Sequence, residues 1–175
     1  MTVIAAVIAA LVAVTGYMLT QAQGRRERRA REFADALTAV EEYLEAPYRI
    51  RRRQAATPEA RDALTNALSD LQARIAHHRA WLHVEAPAVA KGYDALIAAA
   101  RSEAGVQMKD AWNSAPLTSD ADMNLKVAYQ HPNSDAERDK VIAVMRQNLR
   151  YLPRARVLRL KDKVITRSSS SGVLP

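Results

Sequence analysis

The chain has 175 residues, with 26 Lys and Arg against 19 Asp and Glu, a formal net charge of +7, and no cysteine. The missing thiols exclude a disulfide frame and a cysteine metal site. One Phe and two Trp leave a core to be built mostly from Leu, Ile, Val and Ala, and the positive balance suits an anionic membrane surface, nucleic acid or an acidic protein.

No charged side chain interrupts the apolar run from Val3 to Leu19, and Arg25, Arg26, Arg28, Arg29 and Arg31 follow it. Taken as a helix, Thr2 to Ala22 is roughly 31 Å long, close to the ~30 Å hydrocarbon core of a bilayer. Residues 1–24 are therefore expected to form a single transmembrane anchor. A cleaved signal peptide wants positive charge ahead of its apolar run and a small-residue cleavage site behind it. Here only Met1 and Thr2 precede the run. A buried helix of a soluble protein is the remaining reading of so Ala-rich a segment. Lys and Arg beside a span tend to stay in the cytoplasm. The expected placement is thus the inner membrane, N-terminus outside and C-terminal domain cytoplasmic. Tyr17 suits the headgroup boundary, and the arginines gain about 1 kcal/mol each near anionic lipid. Ala5, Ala9 and Ala13 form a small-residue row, which the overall Ala content accounts for.

Residues 25–153 read as a cytoplasmic helical domain. Phe33, Leu37, Val40 and Leu44 step by 4, 3 and 4. Thr57 and Pro58 make a helix start, with Thr as cap and Pro at the first position. Leu64, Leu68, Leu71, Ile75, His78 and Leu82 then sustain a seven-residue repeat. Val89, Tyr93, Leu96 and Ala100 repeat the pattern, and Gly105 is expected to close that helix. Val106 to Trp112 is a short helix candidate, residues 113–120 a loop, and Ser119 the cap of a helix from Asp120 to Tyr129. Ser134 to Glu137 matches a capping box. Ile142, Met145, Leu149 and Leu152 follow, and Pro153 stops the run. Such seams must be buried on something. The expected fold is all-α: the transmembrane helix, then a small antiparallel bundle or a self-associating coiled-coil hairpin. The short connection Pro47 to Ala56 favours an antiparallel first pair. The irregular stretch between Gly105 and Asn133 is a place for a partner surface.

Residues 154–175 form a basic, Ser-rich tail. Arg154, Arg156, Arg159, Lys161, Lys163 and Arg167 stand against one acid, Asp162. Arg154, Arg156, Arg159, Lys161 and Lys163, with Arg25, Arg26, Arg28, Arg29 and Arg31, make the candidate membrane or acidic-partner surface. The tail is expected to order on an acidic surface, since like charge keeps it off a basic domain. Packing through Leu158 and Leu160 is the alternative.

His77, His78, His83 and Glu85 cluster around Trp81, but spacings of one and five put the rings on different faces, unlike the i, i+4 pair of a helical metal site. His78 falls on the seam. Glu41, Glu42 and Glu45 lie opposite the Phe33–Leu44 seam and are expected to pair with arginines. No phosphate loop, nucleophile elbow or Cys–His pair occurs, so neither enzyme activity nor a cofactor is expected. The composition fits a high-GC bacterium or its phage. The leading expectation is a membrane-anchored helical adaptor or scaffold, with a protein partner or a second copy of itself. The alternatives are a tethered nucleic-acid binder using Arg49–Arg53 and Arg154–Arg167, and a phage-type lysis protein whose span oligomerises.

Overall fold

The computed structural model describes residues 2–123 and 128–150, with side chains from residue 10 onward. Its helices are α1 (Thr2–Leu44), α2 (Ala46–Arg51), α3 (Pro58–Glu85), α4 (Pro87–Asn113) and α5 (Pro132–Leu149), with a 3-10 turn at Asp120–Asp122. Among the described residues there is no strand. The chain is all-α, as the periodicity predicts, and its four long helices make an antiparallel bundle rather than an isolated hairpin.

The directions follow from residue pairs. Arg29 faces Glu85 and Arg74 faces Glu42, so α1 and α3 run opposite ways. Asp94 takes Arg79 and His83, which folds α4 back along α3. Glu103 meets the start of α5, while Gly92 meets Val141 further along, so α5 runs against α4. α1 therefore goes down, α3 up, α4 down and α5 up. The α3–α4 corner and the C-terminus of α5 sit at one end, beside Arg29. α2 and the loop after α4 sit at the other.

Local chemistry sets the breaks. Thr57 Oγ1 accepts from Ala60 N at 3.3 Å and Pro58 opens α3. α3 stops at Ala86, whose φ of −144° and ψ of 59° are the response of a residue preceding a proline. Ala86 is buried at the corner, so α4 turns back without a loop. Gly105 does not end α4. The helix passes through it to Asn113, because Ala104, Met108 and Ala111 continue the inward face and Gly105 does not adopt a positive φ. Val106 to Trp112 is part of that same helix. Ser119 does cap, accepting from Ala121 N, but the turn it caps ends at Asp122.

The expected seams face the core. Phe33, Val40, Leu44, Leu71, Ile75, His78, Leu82, Val89, Tyr93, Leu96 and Ala100 are buried, and Leu37, Leu64 and Leu68 are half-buried. On α5 the seam shifts by one residue: Val141 and Met145 are buried, while Ile142 and Leu149 are half-exposed. Leu152 lies outside the described residues. Much of the interior is alanine, which brings backbones close. Tyr93 fills the centre and donates from its hydroxyl to Ala36 O at 3.0 Å; burial pushes that phenol well above the ordinary range. A Cβ on Gly92 would stand 3.2 Å from Val141 Cγ2, so this glycine permits the close α4–α5 approach.

The capping box at Ser134 does not form. α5 begins at Pro132, and Glu103 of α4 supplies the cap instead. Its carboxylate accepts from Asn133 N at 2.9 Å, Ser134 N at 3.0 Å and Ser134 Oγ at 2.6 Å. Glu137 pairs with Lys140. Burial draws the Glu103 pKa up, but the bonds from Ser134 and Asn133 outweigh it and hold the pKa below the ordinary value. A carboxyl with a depressed folded pKa stabilises above its unfolded pKa, and that contribution is lost as pH falls through the folded one. Glu103→Gln should cost about 1–2 kcal/mol at neutral pH, as loss of a helix cap does. The variant should also lose less stability than the parent on acidification below about pH 4.3. Thermal melts from pH 3 to 7 measure both; parallel curves would show that the Glu103 charge is not what caps α5.

Candidate membrane interface

The N-terminal half of α1 stands clear of the bundle. Leu11, Val12, Val14, Tyr17, Met18 and Leu19 are 53–68% exposed and no other described element covers them. Burying a large apolar side chain is worth about 1.5–3 kcal/mol, so six such residues leave on the order of 10 kcal/mol of burial unrealised. That compares with the roughly 5–15 kcal/mol of net stability of a whole domain. The polar side chains here turn inward on their own helix. Thr15 Oγ1 donates to Leu11 O at 2.7 Å, Thr20 Oγ1 to Gly16 O at 3.0 Å, and Gln21 Nε2 to Tyr17 OH at 3.3 Å. Such bonds let hydroxyls and amides sit in an apolar medium. Among the described residues no helix is long and apolar enough to cross a membrane. The side chains of residues 1–9, which open the expected span, lie outside them.

α1 carries straight through Gly24 and the arginines into the bundle. Arg25, Arg26, Arg28 and Arg31 are exposed and Arg29 is half-buried, forming a collar where the free half of α1 meets the bundle. Arg29 comes within 3.9 Å of Glu85, a loose pair with both partners about half exposed and worth little. Among the described residues the other four have no carboxylate within salt-bridge reach. The structure adds two neighbours that no motif announces. Asn148 and Leu149, at the end of α5, close a cleft of about 210 Å³ with Arg25, Arg26 and Arg29. The signal for them is topological: in a four-helix up-and-down order, the fourth helix ends beside the point where the first enters. Arg154, Arg156, Arg159, Lys161 and Lys163 lie outside the described residues.

The second arginine cluster has a different fate. Arg53 donates to the carbonyls of Ile50, Ala111, Trp112 and Ser114 and lies 5.5 Å over the Trp112 ring. Arg51 donates to Ala115 O at 2.8 Å and Arg52 to Met123 O at 3.2 Å. Arg53 thus closes the C-terminus of α4, where carbonyls lack helical partners and the dipole favours a cation. Tyr48 fastens the same loop: its hydroxyl accepts from Tyr129 N at 2.8 Å and the two rings meet edge to face. Among these arginines Arg49 alone makes none of these bonds among the described residues and remains exposed.

The acidic residues are paired as expected: Glu42 with Arg74 at 2.7 Å, Glu41 with Arg138 at 2.8 Å, and Glu45 with Arg52 at 3.8 Å. Among the described residues no group of His, Asp and Glu is arranged to hold a metal. His83 bonds Asp94 at 3.0 Å, and His78 is buried on the seam with its Nδ1 3.6 Å from Glu32, beyond hydrogen-bond reach. Burial, and then His77, lower the His78 pKa, outweighing Glu32 and Asp35. Neither a family model, nor a curated protein, nor a solved structure matches the chain.

Two outcomes follow. Arg53→Ala should destabilise by about 2 kcal/mol or more, since charge-assisted bonds are worth about 1.5–3 kcal/mol each. Arg53→Lys should recover little, because an ammonium lacks the planar fork that spans four carbonyls. Urea melts read both, and full recovery by Lys would reduce the role to simple charge. For His78, the folded pKa lies below the unfolded one, so its contribution is intact above about pH 6.5 and is lost as pH falls below that. His78→Leu should flatten the Tm profile between pH 5 and 6.5; an unchanged slope would place the titration elsewhere.

Proposed function

We propose that the chain is a single-pass membrane protein whose helical bundle acts as an adaptor or scaffold at the cytoplasmic face. The observation that carries this reading is the uncovered apolar half of α1, whose hydroxyls and amide bond within their own helix. In water that surface is a liability; in hydrocarbon it is the anchor. The arginine collar follows directly, on the side that the positive-inside tendency assigns to the cytoplasm. The uninterrupted helix holds the bundle against the headgroups rather than on a free tether.

The partner face of this reading is the end away from the collar. Leu44 is 15 residues beyond Arg29 on α1, about 22 Å along the axis. Here the loop after α4 is pinned by Arg51, Arg52, Arg53 and Tyr48. The described stretches tied in this way, residues 114–123 and 128–131, are held in place, so a partner that binds them pays a smaller ordering cost.

The test is cellular. The full chain, expressed in a bacterial host, should resist carbonate extraction from membranes, and protease added to spheroplasts should leave the bundle intact. Extraction into the soluble fraction would remove the anchor. Loss of everything beyond Arg31 to external protease would reverse the orientation.

A further inference from the structure

The collar and the apolar half of α1 are joined along one face of that helix. Thr15, Leu19, Ala22, Arg26, Arg29 and Phe33 step by 4, 3, 4, 3 and 4, a single stripe at helical spacing. Below the collar this stripe is the seam that enters the core through Phe33. Above it the stripe is a row of shallow hollows. One of about 390 Å³ lies over Gly16, between Leu11 and Leu19. The next, of about 360 Å³, runs from Leu19 past Ala22 to Arg26. The third is the cleft of about 210 Å³ bounded by Arg25, Arg26, Arg29 and the end of α5. Leu19 is shared by the first two and Arg26 by the last two, so the three form one track, apolar along its length and cationic at its end.

We infer that this track holds one phospholipid with a net negative charge and no ammonium in its headgroup, of the phosphatidylglycerol kind. The inference rests on the membrane reading above and gives its lipid attraction a defined site. Charge and length identify the occupant. Three guanidiniums converge on the cleft, and arginine is the side chain best matched to phosphate oxygens. A headgroup that also carries an ammonium is repelled by the same three groups. Leu11 to Arg26 spans 15 residues, about 22 Å. That equals one leaflet, about 15 Å of hydrocarbon plus the headgroup layer. Gly16 and Ala22 keep the track low where an acyl chain lies. The chain's own tail is a poor occupant, since its six basic residues repel the collar.

Charge-matched variants separate a site from diffuse attraction. Arg25→Gln with Arg26→Gln removes two cations from the cleft. Arg28→Gln with Arg31→Gln removes two from the other side of the helix. The full chain in detergent is titrated with phosphatidylglycerol, and with phosphatidylcholine as the zwitterionic control, and the one-lipid complex is counted by native mass spectrometry. The cleft pair should weaken phosphatidylglycerol binding about tenfold or more, and the other pair less than about twofold. Gly16→Leu, which fills the track without changing charge, should weaken it several-fold. Equal losses in the two pairs, or equal binding of phosphatidylcholine, overturn the site. Dimers that disappear in Gly16→Leu also overturn it, because the track is then covered by a second copy. Flotation with phosphatidylglycerol vesicles distinguishes the two levels of failure. A chain that floats but loses lipid equally in both pairs keeps its anchor and lacks only the site. A chain that does not float fails as a membrane protein, and the site falls with it.

Discussion

One helix changes its surroundings halfway along, and the rest of the molecule is arranged to suit it. α1 runs unbroken from Thr2 to Leu44. Up to Leu19 its described large side chains are exposed; from Phe33 onward only one face is apolar. A straight helix cannot bend to hide the first half on the bundle, and there is no Pro within it to kink it. Among the described residues nothing in the bundle covers the apolar half. The other half, with its stripe through Phe33, Leu37, Val40 and Leu44, dictates where α3, α4 and α5 can lie. The arginines mark the changeover.

Thr57 caps α3 locally, but the C-terminus of α4 and the N-terminus of α5 are closed by side chains distant in sequence. Glu103, a carboxylate, sits on the N-terminus of α5, and Arg53, a guanidinium, on the C-terminus of α4. Each places a charge where the helix dipole favours that sign. Both act at the end away from the collar, where the chain is least regular. The alanine-rich interior leaves little room for large side chains to lock the loops, so polar ties do it. Burial of Tyr93 and the close contact of Gly92 with Val141 fix the middle.

The repeating pattern made the fold class and three of the seams legible in the sequence. Phe33 to Leu44, Leu64 to Leu82 and Val89 to Ala100 turn inward as their spacing requires. The α5 seam shifts because Glu103, not Ser134, fixes where that helix starts and so which residues face α4. Gly105 was misleading because glycine weakens a helix by only about 1 kcal/mol, less than the packing of Ala104, Met108 and Ala111 returns. The collar arginines were legible from composition, but Asn148 and Leu149 were not, since nothing in a short polar stretch near a helix end says which other helix it will meet. Only the up-and-down order of the four helices brings them there.

The two arginine runs show why composition alone underdetermines a basic segment. Arg25 to Arg31 and Arg49 to Arg53 are similarly dense in sequence. The first lies in the middle of a helix, where backbone carbonyls are already taken by amides four residues on, so its guanidiniums must look outward for anions. The second lies at a helix end facing another helix end, among carbonyls that have no helical donor. Arg51, Arg52 and Arg53 turn to those carbonyls and become part of the fold. A carbonyl claims a guanidinium that would otherwise face solvent, so of these two runs the first keeps more of its positive charge directed outward. The deciding variable is the distance from each arginine to an unpaired backbone oxygen, which secondary structure sets and net charge does not.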